Sequence, residues 1–270
     1  MIKAIKYLTK LDESSSFIFI VLGDDNKKWA VRAKKKQMFS TRLFNEYTAG
    51  ILASEIRFNK PKVELIKLTD EIISKAEENH PKSDNFEIDS DVAVGTEYIE
   101  NLERVILEDN SSINNSILYK NQFIRKFGDN YNFNSFYAYC IFAEWIFLND
   151  EKYKNLHVTT DLKPIFLDFD VSFTGLNYEH PMPDKYSLTD MTSHKTFREV
   201  IIWEKERFEV WFSNIRGCDK NKIKRFLAEI PQSWGLPNGF RQKIISNLLD
   251  NREQFIQKFM NFISHKKNEI

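Results

Sequence analysis

WIFLNDEKYKNLHVTTDLKPIFLDFD, residues 145–170, is the stretch on which the reading of this chain turns. An apolar run ends in Asn149 and Asp150, and Asn155 follows five residues after the aspartate. A short apolar stretch, 156–158, leads through a polar turn into Ile165, Phe166 and Leu167. That second run closes in Asp168, Phe169 and Asp170. Asp150, Asn155 and Asp168 thus stand at the ends of elements whose composition is that of buried structure. A carboxylate to orient a hydroxyl, then an amide oxygen and a second carboxylate for a cation, is the order that phosphoryl transfer requires. Magnesium takes hard oxygen ligands, usually one or two carboxylates completed by substrate phosphates. The same residues also suit a solvated turn between a helix and a hairpin, so the rest of the chain has to decide.

Upstream, the pattern is strand-rich. Residues 2–8 alternate loosely, 17–22 are continuously apolar, and 28–33 return after the turn Gly23-Asp24-Asp25-Asn26, which predicts a hairpin. Ser40 is placed to cap a helix over 41–58, with Leu43, Phe44, Tyr47, Ile51 and Leu52 on one face and Glu46 off its centre. Asn59-Lys60-Pro61 ends that helix. A strand is expected over 63–68, an insertion or loose loop over 69–86, and a strand leading into a linker over 91–98. From 99 onward the period becomes helical, over 101–107 and above all over 133–148, which is apolar nearly all round and predicts a buried spine. Short strands are expected over 156–158 and 165–168, a loop over 171–194, and closing helices over 196–212, 220–229 and 239–265. Strands with one helix, then mostly helices, make an α+β chain in two lobes, 1–98 and 99–270.

Composition excludes several classes. Apolar residues make up 42 % of 270, which is globular and not disordered. Lys plus Arg equals Asp plus Glu at 39 each, so no global field favours nucleic acid or an anionic membrane. Lys34, Lys35 and Lys36 form the densest basic run but lack interleaved aromatics, which reads as a solvated turn. Cys140 and Cys218 lie in no CxxC pair, and Cys140 falls in an apolar helix as a buried free thiol. No leader pattern opens the chain, and the longest apolar run, 136–148, is broken by Glu144, short of the ~20 residues a membrane helix needs. The expectation is a cytoplasmic protein with no membrane partner and no direct nucleic-acid binding.

The central stretch resembles the catalytic loop and metal-binding aspartate of protein kinases, and more closely those of HipA-like kinases. In that family the loop reads Asp, four residues, Asn, with no His-Arg before it, as in Asp150-Glu151-Lys152-Tyr153-Lys154-Asn155. Further matches lie along the chain in order: Ala30-Val31-Arg32, Asn45-Glu46, Pro61, Gly95-Thr96-Glu97-Tyr98 and Ile230-Pro231-Gln232-Ser233-Trp234. Ser14-Ser15-Ser16-Phe17 stands where the family has a glycine-containing hairpin, and Arg32 stands where it has Lys.

The resemblance implies a bilobal protein-kinase-like fold, with a small β-rich N-lobe carrying one helix and a larger helical C-lobe. It implies ATP and Mg²⁺ as cofactors, a protein Ser/Thr as acceptor, and an antitoxin or other regulatory protein as partner. Family members act as toxins. By resemblance, Asp150 orients the acceptor hydroxyl, Lys152 and Lys154 meet the γ-phosphate or a substrate anion, and Asn155 and Asp168 hold the metal. Arg32 neutralises phosphates and pairs with Glu46, Lys34 serves in its place if Arg32 does not, and Ser15 and Ser16 cover the phosphates. Adenine lies against the segment from Val92 to Tyr98, Val94 and Thr96 among its residues, bonded to backbone groups. Ser172, Thr174, Ser187, Thr189, Thr192 and Ser193 are candidate self-targets. Arg and Lys differ in reach and hydrogen-bond geometry. Arg32 and the missing glycine therefore keep two alternatives open: a catalytically weak nucleotide-binding pseudokinase or partner-binding module, and a small-molecule phosphotransferase.

Overall fold

The computed structural model describes residues 1–11, 17–36, 40–80, 87–104, 134–148, 155–161, 163–173 and 201–268. Five strands come first: β1 (Ile2–Lys10), β2 (Ile18–Gly23), β3 (Lys28–Arg32), β4 (Val63–Lys67) and β5 (Val92–Glu97). The expected hairpin is β2–β3, with Ile20 opposite Ala30. The strands do not stop at a roof sheet. They close into a barrel in the order β1-β2-β3-β5-β4, β1 meeting β4 in parallel through Ile2 opposite Ile66 and Lys3 opposite Lys67. Closure pairs the two edges that an open sheet would leave exposed.

Helix α1 (Thr41–Glu55) crosses from β3 to β4, and α2 (Asp70–Glu78) packs on β1. Residues 69–79 are thus not a loose loop. The Thr69 hydroxyl accepts the Ile72 N–H and caps α2, with Asp70 and Glu71 in its first turn. Ser40 does not cap α1 as expected. Its own backbone is helical and its side chain makes no capping bond.

The second part is helical. The spine is α3 (Asn134–Trp145), in which Phe136, Tyr137, Tyr139, Ile141, Phe142 and Trp145 are all buried. Each side chain of that size contributes about 1.5–3 kcal/mol by leaving water. Then come β7 (Leu156–Val158) and β8 (Pro164–Phe166), an antiparallel hairpin. They are joined by β6 (Glu103–Arg104), where Glu103 lies opposite Val158. The helix expected over 101–107 is therefore a strand at its start. Pairing with β7 supplies backbone partners that a helical turn would otherwise make internally.

Helices α4 (Lys205–Arg216) and α5 (Lys220–Ala228), a 3-10 turn (Gln232–Trp234), α6 (Phe240–Ile245) and α7 (Arg252–Asn268) close the chain. Helix α4 starts later than the pattern indicated. The single helix expected over 239–265 is broken by a π turn, Ser246–Asp250, where the Leu248 carbonyl accepts the Trp145 indole N–H at 3.0 Å.

Two cores result. A small one fills the barrel with Phe19, Val21, Trp29, Val31, Ile66 and Ala93. The large one runs without interruption from α1 and the outer faces of β4 and β5 (Val63, Leu65, Val92, Val94) through α3 to α7. Strands β4 and β5 are therefore buried on both faces, which accounts for their continuous apolar runs. Helix α1 is sandwiched between barrel and helices, so Glu46, off the apolar stripe, is still buried.

Candidate functional site

Both α1 and α3 end in the same way. In α1, Phe58 N–H bonds Ala53 O at 2.8 Å and Arg57 N–H bonds Ser54 O at 3.1 Å, with Arg57 left-handed at φ 60°. In α3, Leu148 N–H bonds Ala143 O at 2.9 Å and Phe147 N–H bonds Glu144 O at 3.2 Å, with Phe147 at φ 53°. This is the Schellman end, a place that ordinarily takes glycine. Neither helix carries the glycine that marks such an end, and Asn59-Lys60-Pro61 marks only the exit after α1, so both were expected to run about three residues too far. The two ends deliver the chain to Lys60 on one side and to the segment before Asp150 on the other.

Asp150, Lys152, Lys154, Ser15 and Ser16 lie outside the described residues, as do Thr174, Ser187, Thr189, Thr192 and Ser193. The other expected residues divide into those the fold gathers and those it does not.

Asn155 and Asp168 share one end of the β7–β8 hairpin: the carbonyl of Asn155 accepts the Leu167 N–H at 2.9 Å. Asn155 is buried, whereas the Asp168 side chain keeps 35 % of its surface exposed. Asp168 holds φ 63°, a left-handed conformation that costs a non-glycine residue about 1–2 kcal/mol. That kink turns the following N–H inward, and Phe169 N donates to Glu46 Oε2 at 2.7 Å. The Phe169 ring fills the space between Phe58, Tyr139 and Phe142. Strain of this kind recurs at binding and catalytic positions.

Arg32 ends β3 and points into the same place. Its Nη1 donates to Asp170 Oδ2, and its Nη2 reaches Asp168 Oδ1 at 3.3 Å. Asp170, the second carboxylate of Asp168-Phe169-Asp170, is the anchor of the cluster. Its side chain is almost wholly buried, its carbonyl accepts Asn45 Nδ2 at 2.8 Å, and Arg42 Nη1 approaches its carboxylate at 3.7 Å. Burial would lower the pKa of Arg32, but the carboxylates of Asp170, Asp168 and Glu46 outweigh it and hold the guanidinium above its ordinary value. Burial pushes the Asp170 carboxyl up to about 6, with Arg32 pulling the other way and Asp168 and Glu46 adding to the rise.

Several expectations are corrected. Glu46 does not pair with Arg32; its Oε1 accepts Lys60 Nζ at 2.6 Å. Lys34 does not stand in for Arg32. Strand β3 has ended by then, and Lys34 Nζ is held by Asp89 at 2.5 Å and by the Ser233 carbonyl at 3.2 Å. Val94 is buried in the core, and Thr96 is half-buried. Strand β5 is paired on both edges, to β3 and to β4, while Glu97 N–H and Tyr98 N–H bond Lys62 O and Lys28 O. The backbone expected to bind adenine is spent on the barrel, because β5 is an interior strand. Ser172 is fully buried with its hydroxyl donating to Phe169 O at 2.7 Å, which removes it from the accessible hydroxyls.

Sequence reasoning missed Lys60 and undervalued Asp170. Lysine before proline after a helix carries no signal beyond an exit, so nothing local marked Lys60. The second aspartate of Asp168-Phe169-Asp170 was the available sign for Asp170.

Among the described residues no group of three or more His, Cys, Asp or Glu side chains could hold a metal alone. The donor chemistry nevertheless suits magnesium. Asp168 offers a partly exposed carboxylate at the hairpin end it shares with Asn155, and both side chains carry oxygen donors of the kind magnesium takes. Among the described residues no helix is long and apolar enough to cross a membrane.

The chain resembles the crystal structure of the Helicobacter pylori proinflammatory kinase CtkA, with a TM-score of 0.49 and 11 % identity over 92 % of this chain and 91 % of that one. At that identity the likeness says nothing about the roles of residues. No protein-family model matches the chain, and no curated protein sequence does.

Proposed function

We propose that this protein is an ATP- and magnesium-dependent phosphotransferase of the HipA-like type, with a protein Ser/Thr hydroxyl as acceptor. The observation that supports it is the convergence of Arg32 from the barrel with Asp168 and Asp170 from the helical part, beside Asn155. Asp168 and Asn155 are the residues that would hold magnesium, which supplies neutralisation of the β- and γ-phosphate charge when bound. Arg32 brings a fixed positive charge to the polyphosphate and is kept in place by Asp170. Asp150 accepts the proton of the attacking hydroxyl, and Lys152 and Lys154 meet the transferred group. The work is positioning and charge neutralisation, not covalent chemistry by the protein. ATP and magnesium place such a reaction in the cytoplasm, and an antitoxin-like partner would act on this site.

One observation favours a second activity, nucleotide binding without transfer: Arg32 already holds the carboxylates of Asp168 and Asp170. A single experiment separates the two. The protein, Asp150→Ala and Asp168→Asn are incubated with ATP and magnesium, alone and with cell extract, and analysed by calorimetry and mass spectrometry. Phosphate added by the parent and lost in both variants is the expected result. Binding without transfer selects the second activity, and no nucleotide binding overturns both.

A further inference from the structure

Lys60 follows α1 by five residues and turns inward, with its side chain 1 % exposed. Its Nζ lies 2.6 Å from Glu46 Oε1 and 5.0 Å over the Phe169 ring. The other oxygen of the same carboxylate, Oε2, takes the Phe169 N–H at 2.7 Å. A chain of contacts therefore runs from Lys60 to Glu46, to the Phe169 backbone, and so to the left-handed Asp168. Arg32 is engaged elsewhere, by Asp168 and Asp170. Glu46 carries a buried charge whose close counter-ion is Lys60, and removing one partner of such a pair leaves the other uncompensated.

We infer that Lys60 is a positioning residue: by fixing the Glu46 carboxylate it holds the Asp168 backbone in the orientation that presents the Asp168 side chain. It acts through Glu46 and touches neither nucleotide nor acceptor. The inference deepens the phosphotransfer proposal and rests on it for the magnesium and turnover readouts, but not for the backbone readout. Geometry also provides a route for a chemical test. Lys60 lines a cavity of about 690 Å³ together with Phe58, Asn59, Lys62 and Ile165, large enough to admit a short alkylammonium ion.

The test uses the full chain with Lys60→Met, Lys60→Arg and Lys60→Ala. Amide hydrogen exchange at Phe169, without any ligand, reports the Glu46 bond directly. Lys60→Met should speed that exchange by about tenfold or more, as expected when a local bond opens. Apparent magnesium affinity in nucleotide binding and transfer should fall by about tenfold or more, as when an outer-shell partner of a metal ligand is lost, while affinity for metal-free ATP stays near the parent value. Lys60→Arg should restore both readouts. Ethylammonium, but not ethanol, should restore Lys60→Ala. If Lys60→Met does not fold, Lys60→Ala, folded with ethylammonium and then freed of it, is read by the same exchange measurement, and a parental rate there overturns the inference. Exchange at the parental rate in Lys60→Met overturns it too. A parent that binds no nucleotide, with Phe169 exchange still dependent on Lys60, sinks the phosphotransfer proposal and leaves the positioning of Asp168 standing.

Discussion

The guanidinium of Arg32, at the end of β3, donates to the carboxylate of Asp170, 138 residues further along the chain, and extends a second N–H to Asp168 at 3.3 Å. A flat donor with two teeth is what this arrangement uses. Lysine has one compact charge and cannot span both carboxylates. Arg32→Lys should lower unfolding stability by about 1–3 kcal/mol. Arg32→Ala, which leaves the buried Asp170 only the more distant Arg42 at 3.7 Å, should cost about 3–5 kcal/mol. Urea unfolding at neutral pH measures both, and equal stability of Arg32→Lys and parent would mean that one contact suffices.

Asp170 makes stability depend on pH in an unusual direction. Its carboxyl titrates at about 6 in the folded protein, raised chiefly by burial. An aspartate in the unfolded chain titrates near ~3.9. The folded state therefore binds this proton more tightly, so the contribution of the group is full below about pH 4 and is lost as pH rises through about 6. The size is about 2–3 kcal/mol at most. Asp170→Asn cannot titrate, and its stability should change less over that window. A parental profile no steeper than that of Asp170→Asn, from unfolding at a series of pH values, contradicts the assignment.

Gly50 lets α1 lie against β4. A Cβ there would meet Val63 Cβ and Cγ2 at 2.5 Å, atoms of a branched side chain that has no room to turn away. Gly50→Ala should destabilise by about 1–3 kcal/mol through overpacking. Since α1 carries Asn45 and Glu46, exchange at Phe169 should rise in the same variant. Gly235→Ala is the control: φ is 65° and nothing lies within 4 Å, so only the backbone term of about 1–2 kcal/mol applies. Thermal and urea unfolding separate the two, and faster Phe169 exchange in Gly235→Ala would break the argument.

Trp234 joins the closing helices to the barrel. It is 2 % exposed, and its indole N–H reaches the Val92 carbonyl at 3.4 Å. Trp234→Ala should cost about 3–5 kcal/mol, mostly as a cavity. Trp234→Phe keeps most of the bulk and loses the bond, at about 1 kcal/mol. If Trp234→Phe unfolds as readily as Trp234→Ala, the bond and not the packing dominates.

Much of this architecture could be read along the chain. The hairpin β2–β3, the strands β4, β5, β7 and β8, and the all-round apolar α3 follow from local period, because side chains alternate on a strand and recur every 3.6 residues on a helix. Boundaries were less legible. Helices α1 and α3 stop at Arg57 and Phe147 in a conformation that glycine usually announces, and tertiary packing on Phe58 and Leu148 imposes the stop instead. Residues 103–104 became a strand because β7 offered an edge, a partner no local pattern reveals.

By itself the sequence determined the order of polar groups, Arg32, Asn45-Glu46, Asn155, Asp168-Phe169-Asp170, and the apolar runs that carry them. Only the tertiary structure decided which of them meet. It gave Arg32 to Asp170 and Asp168, Glu46 to Lys60 and Phe169 N–H, and Lys34 to Asp89, and it closed the strands into a barrel that uses up the β5 backbone. Local sequence sets the dihedral preferences and faces of each element. Charge pairing across more than a hundred residues depends on where buried faces force those elements to lie, since a charge taken from water must find its counter-ion among the groups that packing brings near.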